Sequence, residues 1–262
     1  MKVIDIPVKS FTILLILCSQ AFAQYSWPKS EIYKQNTIEK ESGLLRSHLT
    51  GNFKKITDGR YFLKKSGKGD YSKFKDALWT LESETELRGG LLCPLYTICT
   101  IYDKDKKKIV TCKNEYDYKN GVIRITEKDA DNATTKEIAL PLKNRTTDYV
   151  SLIYFLKSFI NDLIAGETVR FNFLSCEPGL YKLKARFIQE DTLLIGSQEI
   201  ETVKVAITPD MGAFNIILDR FVPPTLLWYE KKEPHVWLKY EGLESGRNST
   251  HIITIIEEIV PF

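Results

Sequence analysis

The chain has 262 residues, with 37 Lys and Arg against 34 Asp and Glu, which gives a formal net charge of +3. Hydrophobic residues make up 43% and charged residues 27%, so the composition excludes a disordered chain, a collagen-like chain and a multi-pass membrane protein. A charge this near zero provides no general attraction for nucleic acid, and none is expected as a partner.

The first 23 residues have the three parts of a secretory signal peptide. Two lysines make the start positive, residues 11–18 (FTILLILC) are apolar, and residues 21–23 (AFA) are a small-x-small cleavage site. The apolar run is too short to cross a bilayer, which takes about 20 residues. We therefore expect cleavage after Ala23, export to the periplasm, no integral membrane segment, and a single β-rich domain over residues 24–262.

Residues 24–76 show little alternation of apolar and polar residues. The polar, mixed segment 24–50 predicts a short helix or an arm followed by a first strand. The basic segment 54–75 predicts a solvated hairpin, with a surface for anionic lipid heads or other envelope polyanions as the alternative.

Two of the four cysteines after the signal flank a predicted hairpin. Cys99 and Cys112 lie on either side of a turn at 103–108 (DKDKKK), and they face each other if the hairpin is centred on it. Opposed Cβ atoms are about 4.5–5.5 Å apart and a disulfide needs about 3.8 Å, so either a cross-strand disulfide or two reduced, half-buried cysteines fits. A second bridge between Cys93 and Cys176 also stays open, because sequence does not decide connectivity.

Strand patterns continue to the end of the chain and are interrupted once. A period of two, typical of antiparallel strands with one solvated face, predicts about eleven strands. Between them, residues 148–165 place apolar side chains at helical spacing, with Thr147 or Asp148 to cap the start and Gly166 to end the helix. The expected fold is therefore mainly β, a large, curved, half-barrel-like antiparallel sheet with one main helix packed on its apolar face.

No pattern in the sequence names a reaction. The GxSxG and HExxH patterns do not occur, and His48, His235 and His251 lie in unrelated segments, so neither a metal site nor a cofactor is expected. The last two histidines are expected at the surface or at strand edges. We expect no catalytic residue, and a hydrolase is only the third hypothesis for the function.

Aromatic residues are the more unusual feature of the helix and the later strands. Small-ligand sites are concave and mostly apolar, and a cavity of about 300 Å³ or more between helix and sheet would indicate one. A filled core would instead favour an interaction scaffold for an envelope protein. The leading hypothesis is an apolar ligand such as a lipid, or a role in envelope assembly. The candidate lining residues are Phe155, Phe159, Phe171, Phe173, Phe187, Phe214, Trp228, Trp237 and Tyr240.

The second half of the chain resembles the bacterial family catalogued as domain of unknown function 3108. The resemblance is carried by residues 148–156 (DYVSLIYFL), 196–205 (GSQEIETVKV), 227–234 (LWYEKKEP) and 236–242 (VWLKYEG). It is clearest over about 140–258 and weaker back to about residue 76. It implies an exported, β-rich periplasmic domain, similar to the half-barrels that carry lipoproteins or lipids across the envelope, without an assigned activity or catalytic residue.

Overall fold

The computed structural model describes residues 30–175, 179–212, 223–244 and 249–261. These residues form fifteen strands and two short helices. The strands are β1 (Ser30–Glu39), β2 (Leu45–Thr57), β3 (Arg60–Tyr71), β4 (Phe74–Arg88), β5 (Leu91–Tyr102), β6 (Lys108–Asp117), β7 (Val122–Lys128), β8 (Thr134–Pro141), β9 (Thr146–Asp148), β10 (Val169–Leu174), β11 (Leu180–Ile195), β12 (Gln198–Pro209), β13 (Thr225–Glu230), β14 (Trp237–Leu243) and β15 (His251–Pro261). The helices are α1 (Leu152–Lys157) and α2 (Ile160–Ile164).

All fifteen strands belong to one open sheet. Its order is β8-β7-β6-β5-β4-β3-β2-β1-β15-β14-β13-β12-β11-β10-β9, so the two edge strands, β8 and β9, follow one another in the chain. Only residues 142–145 join them, and this connection reaches at most about 19 Å. A flat sheet of this many strands would be about 67 Å wide at a spacing of about 4.8 Å. The sheet therefore has to curl until its two edges approach each other.

Side chains fill the gap between the two edges. Leu174 of β10 is fully buried in a cluster with Tyr116, Ile123 and Ile125 from β6 and β7. β9 pairs with β10 in parallel, and the other strand pairs in the described ranges are antiparallel. The predicted fold class, a large curved sheet that is mainly antiparallel, is thus confirmed, with the curvature carried far enough to make the molecule barrel-like.

The helical segment is shorter and less regular than the pattern at 148–165 predicts. Asp148 belongs to β9, and the helix divides at Ser158–Phe159 into α1 and α2. Phe159 has φ −116° and ψ 6°, and its N–H donates to Leu156 O, three residues back, which closes α1 with a tight turn. Apolar spacing does not reveal this division, because two consecutive helices can bury the same face that one helix would bury.

The N-terminal segment, for which the sequence predicts a short helix or an arm followed by a first strand, is already a strand at its first described residue. β1 is a central strand, hydrogen-bonded to both β2 and β15. Its inward-facing positions include Glu31, Gln35 and Thr37, which are buried. The apolar alternation that marks a strand in sequence is missing there because these inward side chains are polar.

Candidate ligand-binding site

The two helices fill one end of the barrel, which we call the helix end. The Tyr154 ring of α1 stacks on Phe53 of β2 with centroids 4.2 Å apart. Lys157 Nζ donates to Glu31 Oε1 of β1 over 2.9 Å, and both side chains are buried. These contacts hold the helices against the inner face of the sheet, so the interior is packed at this end.

The opposite end, which we call the turn end, holds the β1–β2, β3–β4 and β5–β6 turns. Residues 213–222 and 245–248 lie outside the described residues. Next to buried residues such as Ala77 and Ile101, several apolar side chains that continue the core towards the turn end are half-buried. They include Leu49, Tyr71, Phe74, Ile109, Val110, Leu183 and Tyr240. The interior therefore presents an apolar surface with partial solvent access at this end.

Two glycines shape the inner wall formed by β1–β4. The Tyr33 ring lies on Gly51, and the Trp79 ring lies on Gly67, so closely that a Cβ at either glycine would overlap the ring. Tyr71 in turn stacks on Trp79 with ring centroids 5.0 Å apart. The two large rings lie along the wall because glycine leaves room for them.

Lys65 of β3 points into the interior beside these rings. It is the cross-strand neighbour of Gly51, precedes Gly67 by two residues, and is only 9% exposed. Burial lowers the pKa of its amine to about 8, and the charge of Asp148 opposes this shift in part. In the described part of the chain, its amine has no hydrogen bond or ion pair. A buried ammonium without a partner is costly, so this position would be stabilised by an anionic group.

The charge of Asp148 acts on Lys65, but the two side chains form no ion pair among the described residues, and both Asp148 oxygens accept hydrogen bonds from other groups. Oδ2 accepts hydrogen bonds from Thr97 Oγ1 over 2.5 Å and from the Tyr116 hydroxyl over 2.7 Å. Oδ1 accepts from two backbone N–H groups just before α1, over 3.0 and 2.9 Å. This fully buried carboxylate ties the start of the helical segment to β5 and β6, which is a structural role.

Several other polar atoms on the inner wall, such as Thr85 Oγ1, lack a hydrogen-bond partner within the described ranges. Two of them are the donor Trp79 Nε1 and the acceptor Gln35 Oε1. The register places both residues in one cross-strand row, from Gln35 through Leu49 and Gly67 to Trp79. Buried polar atoms in proteins are nearly always bonded, so this row marks a spot on the inner wall where hydrogen-bonding groups are left unsatisfied.

The structure places most of the predicted lining residues in the interior. Phe155 packs between Phe159 and Phe171 at the helix end, with ring centroids 5.3 and 5.5 Å apart. Four more belong to the same core: Trp237, which is buried, and Phe173, Phe187 and Tyr240, which are half-buried. Phe214 lies outside the described residues.

Trp228 does not line the interior, and its inclusion is corrected here. Successive side chains of β13 point to opposite faces of the sheet. Leu227 and Tyr229 lie in the core, so Trp228 between them lies on the outer face. There Nε1 donates to Asp191 Oδ2 over 3.0 Å, and the ring lies between the amines of two cross-strand lysines. Lysine stems, rather than the core, bury this ring.

The cysteine hairpin has the predicted pairing at its centre. Cys99 and Cys112 are directly opposed in the β5–β6 register, and both thiols are free in the structure. Burial raises the pKa of the Cys99 thiol to about 12 and that of the Cys112 thiol to about 11. The disulfide between them stays a prediction. Cys93 is buried, and its suggested partner Cys176 lies outside the described residues.

The titratable side chains of the described residues are not arranged as a metal site. No group of three His, Cys, Asp or Glu side chains suited to a metal ion occurs among the described residues. His235 was expected at the surface or at a strand edge; it is not at the surface, because the residue is only 2% exposed and its ring nitrogens hydrogen-bond with Glu230 O and Asn161 Oδ1. Within the same ranges, no helix is long and apolar enough to cross a membrane.

Two grooves lie on the outer surface. One, of about 360 Å³, crosses β1–β3 and is lined by polar side chains such as Asn36, His48 and Thr50. The other, of about 410 Å³, lies at the β2–β3 turn. None of the predicted lining aromatics contributes to either groove, and the first is also bordered by Gln35, Leu49 and Gly67.

Comparisons with known proteins fit this architecture. The family model described as "Protein of unknown function (DUF3108)" matches residues 55–242. The chain belongs to this family. The match begins earlier than the resemblance read from the sequence, so the DUF3108 region includes the cysteine hairpin and the wall that carries Lys65 and Trp79.

Similarity to solved structures concerns the fold. A beta-barrel-like protein of domain of unknown function DUF1849 from Brucella abortus has a TM-score of 0.56 and 8% identity, covering 90% of this chain and 99% of that one. A protein of YmcC-like fold from Bacteroides fragilis, also 8% identical, covers 90% of this chain and 97% of its own, and its TM-score of 0.30 is too low to bear on the fold. No curated protein matches the chain.

Proposed function

We propose that this DUF3108 protein is an exported, non-enzymatic protein of the periplasm that holds an apolar ligand, such as a lipid, in its barrel. The observation that carries the proposal is the inner wall of β1–β4. It leaves a buried donor, Trp79 Nε1, and a buried acceptor, Gln35 Oε1, without partners in the described ranges, next to a half-buried apolar surface. A core that served stability alone would satisfy such atoms or replace them with apolar groups.

The shape of the interior supports the same proposal. The helices close the barrel at the helix end, and the aromatic wall continues from there to the half-buried side chains of the turn end. Ligand sites in barrels occupy such mouths, where most of the lining is apolar and a few polar groups fix the orientation.

Two further parts of the proposal, export and a non-enzymatic role, are supported by separate observations. The signal pattern of residues 1–23 supports export. The interior carboxylates Asp148 and Glu31 are engaged by hydrogen bonds and by Lys157, which leaves neither of them available as a general base. These engagements support a binding protein over a hydrolase.

A second candidate function is an interaction scaffold that supports envelope assembly. The packing at the helix end favours it, because Tyr154, Phe155 and Phe159 fill the space between helix and sheet with stacked or tilted rings. If the whole interior were filled in this way, the protein would act through its outer surface.

One experiment separates the two candidates. The mature protein is purified from a periplasmic extract, its mass is measured under native conditions, and an organic extract of it is analysed. We expect a co-purifying lipid or fatty acid. A clean protein mass, unchanged after incubation with envelope lipids, would contradict the proposal and favour the scaffold, whose partner would then be sought by crosslinking.

A further inference from the structure

We propose that Lys65 and Trp79 form the head-group site for a single-chain anionic amphiphile, which is a more specific ligand than the proposed function requires and rests on that function. The ammonium of Lys65 and the indole N–H of Trp79 bind the acid group. The hydrocarbon chain lies along the apolar side chains of the turn end. The shared chemistry is an oxyanion on an alkyl chain, whether carboxylate or phosphate.

Register places the two donors close together on the wall. Lys65 and Gly67 are successive inward-facing positions of β3, and Trp79 of β4 is the cross-strand neighbour of Gly67. The Trp79 ring lies against that glycine, with Nε1 only 2.8 Å from where a Cβ would stand. The indole N–H is therefore held against β3, the strand that carries the Lys65 amine.

Lys65 forms no ion pair among the described residues, and the charge of Asp148 only partly offsets the cost of burying its amine. Asp148 is occupied by its four hydrogen bonds, and Glu31 pairs with Lys157. Lys65 is more than nine-tenths buried, and none of the described carboxylates lies within ion-pair distance of it. An anionic head brought to this amine would gain a charge-assisted hydrogen bond at a place where water is largely excluded.

The surroundings fit a chain attached to that head. Tyr71 stacks on Trp79, and Leu49 lies in the same cross-strand row as Gly67. Gln35 Oε1, at the end of that row, provides an acceptor for a hydroxyl of the head group or for an acid that keeps its proton. Polar contacts are thus gathered at one spot, with apolar side chains towards the turn end.

The test uses three ligands with the same twelve-carbon chain and different heads: dodecanoate, dodecyl phosphate and dodecan-1-ol. Binding to the delipidated mature protein is measured by titration calorimetry below the critical micelle concentrations. We expect at least one of the two anions to bind about tenfold or more tightly than the alcohol, and their ranking to identify the acid class.

Variants assign the effect to the head-group site. Lys65→Met should weaken binding of the preferred anion by about tenfold and leave the alcohol unchanged, and Trp79→Phe should weaken the anion severalfold. Lys64→Met is the matched control, because Lys64 faces outward and pairs with Glu82. Circular dichroism and the melting temperature verify that each variant is folded.

Two results would overturn the inference, and they differ in what they say of the proposed function. Equal binding of anion and alcohol, unaffected by Lys65→Met, would eliminate the head-group site and leave an apolar-ligand protein. Absence of binding for all three ligands, in a folded protein, would contradict both the head-group site and the proposed function.

Discussion

The indole ring of Trp79 occupies the space in which a side chain at residue 67 would stand. A Cβ on Gly67 would lie 2.8 Å from Nε1 and closer still to two ring carbons. The pair joins β3 to β4 on the inner wall and sets the position of a buried donor that has no partner among the described residues. The shape of the candidate site therefore depends on a residue that has no side chain.

Gly67→Ala should destabilise the protein by about 1–3 kcal/mol, because the added methyl displaces the Trp79 ring from the wall. Urea unfolding provides the measurement, with the exposed neighbour Ser66→Ala as the control. In a double-mutant cycle, Gly67→Ala should lower the free energy of unfolding by less in a Trp79→Leu background than in the wild type. Additive effects of the two substitutions would mean that ring and glycine are not coupled.

Lys65→Met should raise the free energy of unfolding at pH 7 by about 1–3 kcal/mol, because it removes a buried amine whose burial the charge of Asp148 offsets only in part. The folded-state pKa of Lys65, about 8, is below its unfolded value of 10.5. Between these values the unfolded chain binds more protons, so the Lys65 contribution to stability rises with pH across that window and is least favourable below pH 8.

Chemical denaturation at pH 7, 8, 9 and 10 measures that contribution as the difference between the wild type and Lys65→Met. The difference should shrink as the pH rises. Lys64→Met, on the outer face of the same strand, should show no comparable trend. A difference that stays constant from pH 7 to 10 would mean that Lys65 is not buried as an amine with a lowered pKa.

Asp148→Asn should cost about 2–4 kcal/mol of stability. In asparagine, an NH₂ group replaces one of the two carboxylate oxygens of Asp148. If it takes the place of Oδ2, the buried hydroxyls of Thr97 and Tyr116 lose the atom to which they donate. Thermal unfolding measures the loss, and Asp131→Asn, in the exposed β7–β8 turn, is the control. A melting temperature equal to that of the control would show that Asp148 does not anchor the helices to β5 and β6.

Cys99 and Cys112 should be linked in the exported protein, because directly opposed cysteines in an oxidising compartment readily form a cross-strand bridge. Mass spectrometry of unreduced peptides measures the linkage. Burial raises the pKa of both thiols, so reduced protein that is already folded should react slowly with thiol reagents. Two free thiols in the protein taken from the periplasm would refute the bridge.

The accuracy of the sequence-based predictions follows from where the apolar residues lie. Val169, Phe171 and Phe173 alternate with polar residues, and they form β10 as predicted. A first strand was predicted within residues 24–50, but the position of β1 was not, because its buried positions include the polar residues Glu31 and Gln35. Trp228 was assigned to the wrong face because an aromatic residue buried by lysine stems resembles a core residue in sequence.

The site itself was only partly accessible from the sequence. Aromatics in the helical segment and later strands indicated an apolar interior, and the structure places Phe155, Phe171 and Trp237 there. The sequence did not indicate that Lys65 is buried, since it is one of several basic residues in a segment whose other basic residues face the solvent. Its burial depends on the register of β3 between β2 and β4.

The sequence alone determined the mainly β class, the position of the helical segment and the DUF3108 resemblance, because side-chain period and turn residues act locally. Tertiary structure decided how far the sheet curls, which end the helices fill, and which charges are left unpaired. Those properties arise from contacts between residues distant in the chain, such as Lys157 with Glu31 or Asp148 with Thr97. Local periodicity holds no information about such pairs, since it records which face a side chain takes and not what it meets there.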